Sequence, residues 1–149
     1  FARRRQPKEV ESAPSAWAIA LIGTFAVLLL RPGGELVWSG GGTMILVGFT
    51  LQIWALSSLN TSFSIVPANR GVKTRYGYAI VRHPIYATYM ISTVGYLLLN
   101  ASIVNAALLA VFVAATIARI HNEERLLFRD PAYASYAKTV PYRLVPFVY

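Results

Sequence analysis

Two short stretches hold most of the residue types that could do chemistry. One runs from Arg70-Gly71-Val72-Lys73-Thr74-Arg75-Tyr76-Gly77-Tyr78 to Arg82-His83-Pro84-Ile85-Tyr86. The other is Arg119-Ile120-His121-Asn122-Glu123-Glu124. Arginine offers a planar fork that can hold a carboxylate or a phosphate through two parallel bonds. A carboxylate such as Glu123, with aromatic faces such as Tyr78 or Tyr86, favours a cation. Each residue alone also has a plainer reading. Arg82 could be a membrane anchor that snorkels. His83-Pro84 could be an ordinary helix start. Arg119 and Glu123, four apart, could pair on one helix face. Tyr76, Tyr78, Tyr86 and Tyr89 could form an aromatic belt. His83 and His121 lack the further ligands a metal site needs, so no metal is expected. There is no GxGxxG fingerprint, no P-loop and no convincing Ser/His/Asp arrangement.

The elements that must position these residues are apolar. Four segments stand out, at 16–30, 42–59, 85–99 and 103–120. At 1.5 Å per residue they would span roughly 22–27 Å as helices. A hydrocarbon core is about 30 Å thick, a gap that flanking neutral residues or local thinning could close. Of the 149 residues 56% are hydrophobic and 13% charged. A soluble domain carries about twice that share of charge. The sequence therefore predicts an all-α, polytopic transmembrane bundle of about four helices. A soluble bundle with short core helices is the alternative.

Charge sets the expected orientation. The connections 31–41 and 100–102 fall on one side of the bundle. Residues 1–15, the loop 60–84 and the tail from Arg119 fall on the other. Of the 14 Lys and Arg residues only Arg31 lies on the first side. The positive-inside rule then places both termini in the cytoplasm. That membrane would be the inner membrane of a bacterium or the endoplasmic reticulum of a eukaryote. The net charge is +8. Because the basic residues flank apolar runs, membrane lipids rather than nucleic acid are the expected counter-charge. Arg3-Arg4-Arg5 is set apart from the first apolar run by a polar stretch, which argues against a signal peptide. With no cysteine there is no disulfide or thiolate chemistry.

The tail carries its own signals. Residues 123–129 should extend the fourth helix beyond the membrane. Asp130-Pro131 reads as an N-cap followed by a proline at the first helical position. A short amphipathic helix over 131–138 follows, with Tyr133, Tyr136 and Ala137 on one face. That face could lie at the membrane interface or cover the end of the bundle. Pro141 and Pro146 prevent further helix.

Taken together, these motifs resemble the isoprenylcysteine carboxyl methyltransferase family. That family is grouped with the phospholipid N-methyltransferases as membrane-embedded enzymes that use S-adenosylmethionine (SAM). The resemblance rests on Arg82-His83-Pro84-Ile85-Tyr86, on the preceding Thr74-Arg75-Tyr76-Gly77-Tyr78, and on Asn122-Glu123-Glu124-Arg125-Leu126-Leu127. The closing Tyr133, Tyr136, Val140-Pro141 and Leu144-Val145-Pro146 fit as well. It covers roughly residues 62–147.

The resemblance implies roles residue by residue. His83, Pro84, Ile85 and Tyr86 match the block that holds the cofactor. Tyr78 matches an aromatic cofactor contact. Arg70, Gly71, Val72 and Lys73 match a loop bordering the adenosine. Glu123 matches a cofactor-contacting carboxylate, with Glu124 grouped beside it at the cofactor. Arg119 matches a substrate-binding arginine and is assigned to catalysis along with Arg82. Three positions depart from the pattern. Thr88 stands where the family has glycine, Arg129-Asp130-Pro131 replaces Phe-Gly, and Phe63 marks a missing polar cofactor contact.

The implied organisation is one methyltransferase domain over 1–149. Residues 1–60 form an N-terminal helical hairpin and 61–149 a cofactor-binding core with a cytoplasmic pocket. The implied reaction is SAM-dependent methyl transfer to a lipophilic or lipid-like acceptor, such as an isoprenylcysteine carboxylate. Two alternatives stand beside it: an NADPH-dependent enzyme like the sterol reductases, and a membrane scaffold without catalysis.

Overall fold

The computed structural model describes residues 9–10, 13–59, 68–69, 72 and 74–149. The fold is all-helical. Among the described residues there are five α-helices: α1 (Pro14–Phe25), α2 (Gly41–Leu59), α3 (Pro84–Leu99), α4 (Ile103–Leu127) and α5 (Pro131–Thr139). Two 3-10 turns add to these, at Ala26–Leu29 and Tyr76–Ala79. A minimal antiparallel pair joins β1 (Glu9–Val10) to β2 (Ala68–Asn69), with Glu9 opposite Asn69.

The apolar runs became the four longer helices, and their ends have local causes. Proline occupies the first turn of α1, α3 and α5, where its missing N–H costs nothing. At the start of α4 the Ser102 hydroxyl accepts the Asn105 amide at 3.1 Å. Asp130 caps α5 by accepting the Ala132 amide at 3.0 Å. The first segment tightens into a 3-10 turn before Arg31-Pro32 ends it. Helix α4 runs past its apolar stretch into the polar extension but ends at Leu127, capped by Phe128, two residues before the expected 129.

Among the described residues, α4 is the one helix long and apolar enough, by length and composition, to cross a membrane. The other apolar helical stretches, Pro14–Leu29, Gly41–Ser57 and Pro84–Leu99, are shorter. Large apolar side chains are exposed along α1 and α2, among them Trp17, Leu21, Phe25, Leu46, Phe49 and Ile53, with Ile103 and Val111 on α4. So many exposed large apolar side chains are unusual on a soluble monomer and suit a lipid surround.

Each N-terminal helix takes its principal partner from the C-terminal part of the chain: α2 packs along α3, and α1 along α4. Small residues allow the close approach of α2 and α3. A Cβ on Gly95 would stand 2.7 Å from the Gly41 carbonyl oxygen and 2.9 Å from the Met44 Cβ. On the α1 side, a Cβ at Gly23 would make ordinary contact with Ala115 at 3.5 Å.

At the end of the bundle that carries the two short connections, Asn105 is fully buried and fully used. Its Oδ1 accepts the Arg31 amide at 3.0 Å. Its Nδ2 donates to the carbonyls of Arg31 at 2.8 Å and Asn100 at 2.6 Å. Glu35 and Ala101 add an isolated two-way backbone bridge. The opposite end, where α3 begins and α4 finishes, holds the candidate site.

Candidate active site

The site starts from the order of residues on α4. Consecutive helical side chains diverge by about 100°, so Glu123 and Glu124 cannot face the same way. Glu123 accepts the Tyr86 hydroxyl at 2.9 Å. The Arg119 guanidinium lies over the other part of that residue, 5.2 Å from the ring centroid. Arg119 Nη1 also donates to the Thr24 hydroxyl of α1 at 3.3 Å. Thus a cation, an aromatic ring and a carboxylate follow one another along the inner side of α4, with Tyr86 between the two charges. Helical side chains lean toward their own N-terminus, so Arg119 reaches back into the apolar part of the bundle.

Tyr86 is set from a second direction. The His83 ring stacks on it with centroids 5.6 Å apart and 21° between planes. His83 directly precedes α3, and Pro84 and Ile85 are buried beneath it. The Tyr76–Ala79 turn packs on this block: a Cβ on Gly77 would stand 3.0 Å from Pro84 and 3.3 Å from Trp54. Within the turn Tyr78 is half-buried. Burial first, then the nearby negative charge of Glu123, pushes its phenol well above the ordinary tyrosine range.

Glu124 faces the other way and is 3% exposed. Its Oε1 accepts Arg82 Nε at 2.7 Å and lies 3.3 Å from His83 Nε2 and 3.4 Å from the Tyr133 hydroxyl. Its Oε2 accepts Arg143 Nε at 2.7 Å. An ionised carboxylate only accepts, so the His83 nitrogen facing it carries the proton. Burial alone would raise this carboxyl. The hydrogen bonds from His83, Arg143 and Arg82 outweigh that and hold it at about 2. Glu124 lies beyond the apolar stretch 103–120, in the polar extension of α4. In return the hydrogen bond to Glu124, and then its charge, raise Arg143 above the usual arginine value.

Arg82, 7% exposed, does more than pair. Its Nη1 donates to the Val140 carbonyl at 3.2 Å and the Pro141 carbonyl at 3.0 Å, capping the end of α5. The backbones join as well: the Arg82 amide donates to the Tyr142 carbonyl and the His83 amide to the Arg143 carbonyl, each at 2.9 Å. The Arg82 and Glu124 side chains are therefore directed at each other and at the tail. The sequence reading placed Arg82 in catalysis and Glu124 at the cofactor. Here the two side chains bond each other and the tail, while Glu123, one residue and about 100° round the helix, bonds Tyr86.

The aromatic face of α5 packs inward rather than onto the membrane interface. Tyr133, Tyr136 and Val140 form a buried cluster against Val72, Leu127 and Ala137. The Tyr136 hydroxyl donates to the Tyr78 carbonyl at 2.6 Å. Burial pushes the Tyr136 phenol up to about 12 and Tyr133 beyond the ordinary range.

The structure thus brings Tyr78, His83, Pro84, Ile85, Tyr86, Arg119 and Glu123 to one end of the bundle, with Val72 under α5. Arg70, Gly71 and Lys73 lie outside the described residues, as does Phe63. His121 is exposed and engages the Ile117 carbonyl of its own helix at 2.9 Å. Thr88 is buried, its hydroxyl donating to the Ile85 carbonyl at 2.8 Å. Sequence reasoning missed Arg143 and Thr24. Arg143 is a lone cation between two prolines, and no spacing rule links it to Glu124.

The family model for isoprenylcysteine carboxyl methyltransferase (ICMT) matches residues 42–129, more than half of the chain. The chain belongs to the ICMT family. No curated protein matches it. The ICMT match covers all but the first residue of α2, all of α3 and α4, the Arg82–Tyr86 block and both glutamates, and leaves α1 and α5 outside. ICMT membership brings methyl transfer as the family's reaction and the membrane as its setting. In this ICMT-family chain, Thr24, which accepts from Arg119, and Arg143, which donates to Glu124, lie on the two flanks beyond the matched region.

Proposed function

We propose that this protein transfers a methyl group from SAM to a lipophilic or amphiphilic acceptor at the cytoplasmic face of a membrane. The observation that carries this reading is the ordered series Arg119, Tyr86, Glu123 at the end of α4. Family membership supports it independently.

The residues present fit SAM. Its sulfonium and ammonium groups are cationic, and Glu123 is a half-buried carboxylate bonded to Tyr86, with Tyr78 in the turn that packs on Pro84. When bound, SAM supplies an electrophilic methyl group. The chain's own part is binding, orientation and exclusion of water. Glu123, Tyr78 and Tyr86 would hold the charged part of the cofactor. His83, Pro84 and Ile85 fix Tyr86, and residues 70–73 would border the adenosine. Arg119 would hold a carboxylate or phosphate of the acceptor with its fork, aimed from the Thr24 side. An isoprenylcysteine carboxylate or a lipid headgroup presents that chemistry on an apolar tail.

The four apolar helices would each cross the bilayer, with thinning or tilt adjusting the shorter ones. Both termini and the site then lie in the cytoplasm, where all Lys and Arg except Arg31 gather. The acceptor would enter sideways between helices, and SAM from the water.

Calorimetry in detergent tests the first step. Saturable SAM binding, displaced by S-adenosylhomocysteine and lost in Glu123→Ala, supports the proposal. Binding of NADPH in place of SAM would point to reductase chemistry and overturn it.

A further inference from the structure

The two adjacent glutamates do different work. Glu123 points at Tyr86 and the ligand side. Glu124 sits in a closed cluster with Arg82, His83, Arg143 and Tyr133. We infer that Glu124 and Arg143 form a latch that fastens the C-terminal segment 140–145 onto the Arg82–His83 block and so holds the ligand-facing tyrosines in place. They are positioning residues, and Arg82 joins them. For its ligand the inference rests on the SAM reading above.

Four observations converge on the latch. The segment 140–145 has no helix of its own to hold it in position. It is tied by two backbone bonds to Arg82 and His83, by the Arg82 fork to two of its carbonyls, and by Arg143 to Glu124. Both tyrosines assigned above to the cofactor are one contact away. His83 stacks on Tyr86, and Tyr136 of α5 holds the Tyr78 carbonyl. The chain therefore runs in a ring: the Tyr78 turn, α5, the tail, the Arg82–His83 block, Glu124, and back along α4 to Glu123. Arg143 is the most exposed member, with 31% of its side chain accessible, against 4% for Glu124. A partly exposed ion pair is the weakest link of such a ring and the place where it opens.

The test uses the full chain in detergent, with Arg143→Ala, Arg143→Lys and Glu124→Gln. Hydrogen exchange is followed at the Arg82 and His83 amides, whose acceptors are tail carbonyls. SAM affinity and turnover are measured on the same samples. In Arg143→Ala, exchange at those amides should rise at least about tenfold, and the SAM Kd about tenfold. Turnover at saturating SAM should stay within about twofold, because Arg143 touches neither reactant. Arg143→Lys should recover most of the affinity, since an ammonium can still reach Oε2. Wild-type exchange in Arg143→Ala would overturn the latch. Faster exchange with unchanged Kd would overturn its link to the ligand. Lost turnover with unchanged Kd would make Arg143 a catalytic contact and overturn the positioning role. If wild-type protein binds no SAM, the methyltransferase reading falls, and exchange alone decides the latch. Should Arg143→Ala fail to fold, Glu124→Gln gives the same readouts, with faster exchange expected and wild-type exchange overturning.

Discussion

Glu123 accepts the Tyr86 hydroxyl at 2.9 Å although the two residues are 37 positions apart. This bond joins the start of α3 to the end of α4 at the place where the ligand is proposed to lie. Tyr86→Phe keeps the ring for Arg119 and removes only the donor. A hydrogen bond to a charged group is worth about 1.5–3 kcal/mol. The SAM Kd in Tyr86→Phe should rise about tenfold or more, measured by calorimetry. Unchanged affinity would remove Tyr86 from the cofactor site.

Arg119 is proposed to hold the acceptor, so its loss should leave SAM affinity intact. Arg119→Ala should abolish turnover while binding SAM like wild type. Arg119→Lys keeps the charge and loses the fork, so the acceptor KM should rise roughly tenfold or more. Steady-state kinetics with a prenylated carboxylate, run beside SAM titrations, separates the two ligands. A parallel loss of SAM affinity in both variants would contradict the assignment.

Glu124→Ala leaves Arg82 buried beside an empty space and uncompensated. Breaking one side of a buried ion pair costs about 3–5 kcal/mol. Thermal unfolding in detergent should show a large loss of stability in Glu124→Ala and a smaller one in Glu124→Gln, which retains an acceptor. Equal stability of all three proteins would mean that the cluster contributes nothing.

Stability should also fall with acid through the same group. Glutamate ordinarily titrates near 4.5, and the folded chain holds Glu124 at about 2. Between those values the unfolded chain binds the extra proton, so acid favours unfolding. The contribution of Glu124 is complete above about pH 5 and lost as pH falls toward 2. Arg82, His83, Arg143 and Tyr133 face the carboxylate, and the two arginines stay charged throughout. Glu124→Gln should show a shallower acid slope than wild type over that window. Identical slopes would show that other carboxylates govern the acid limb.

Gly95→Val tests the close contact of α2 and α3. The added Cβ would meet the Gly41 carbonyl oxygen at 2.7 Å and the Ile45 nitrogen at 3.1 Å. Forced separation of packed helices costs about 1–3 kcal/mol. A clear fall in melting temperature is expected, and its absence would mean that the helices part freely.

Much of this protein is decided locally and was therefore readable from the sequence. Apolar runs bounded by proline and polar residues became helices, because each helix satisfies its own backbone wherever it lies. Asp130-Pro131 made a capped helix start, since the cap needs only neighbours in sequence. The family resemblance rested on short motifs, and the match over residues 42–129 agrees with it.

Tertiary structure decided which faces those helices turn to each other. A sequence shows two adjacent glutamates as a pair. The 100° step of the helix separates them, and only docking of α3 and the tail determines that Glu123 meets Tyr86 while Glu124 meets Arg82 and Arg143. The same holds for α5, whose aromatic face suited both a membrane surface and a packed interior. It turned inward because Leu127 and the Tyr78 carbonyl offered contacts there. Thr24 reached Arg119 across 95 positions for the same reason. Spacing along a chain determines the elements, and contacts between distant residues depend on orientations that exist only once those elements pack.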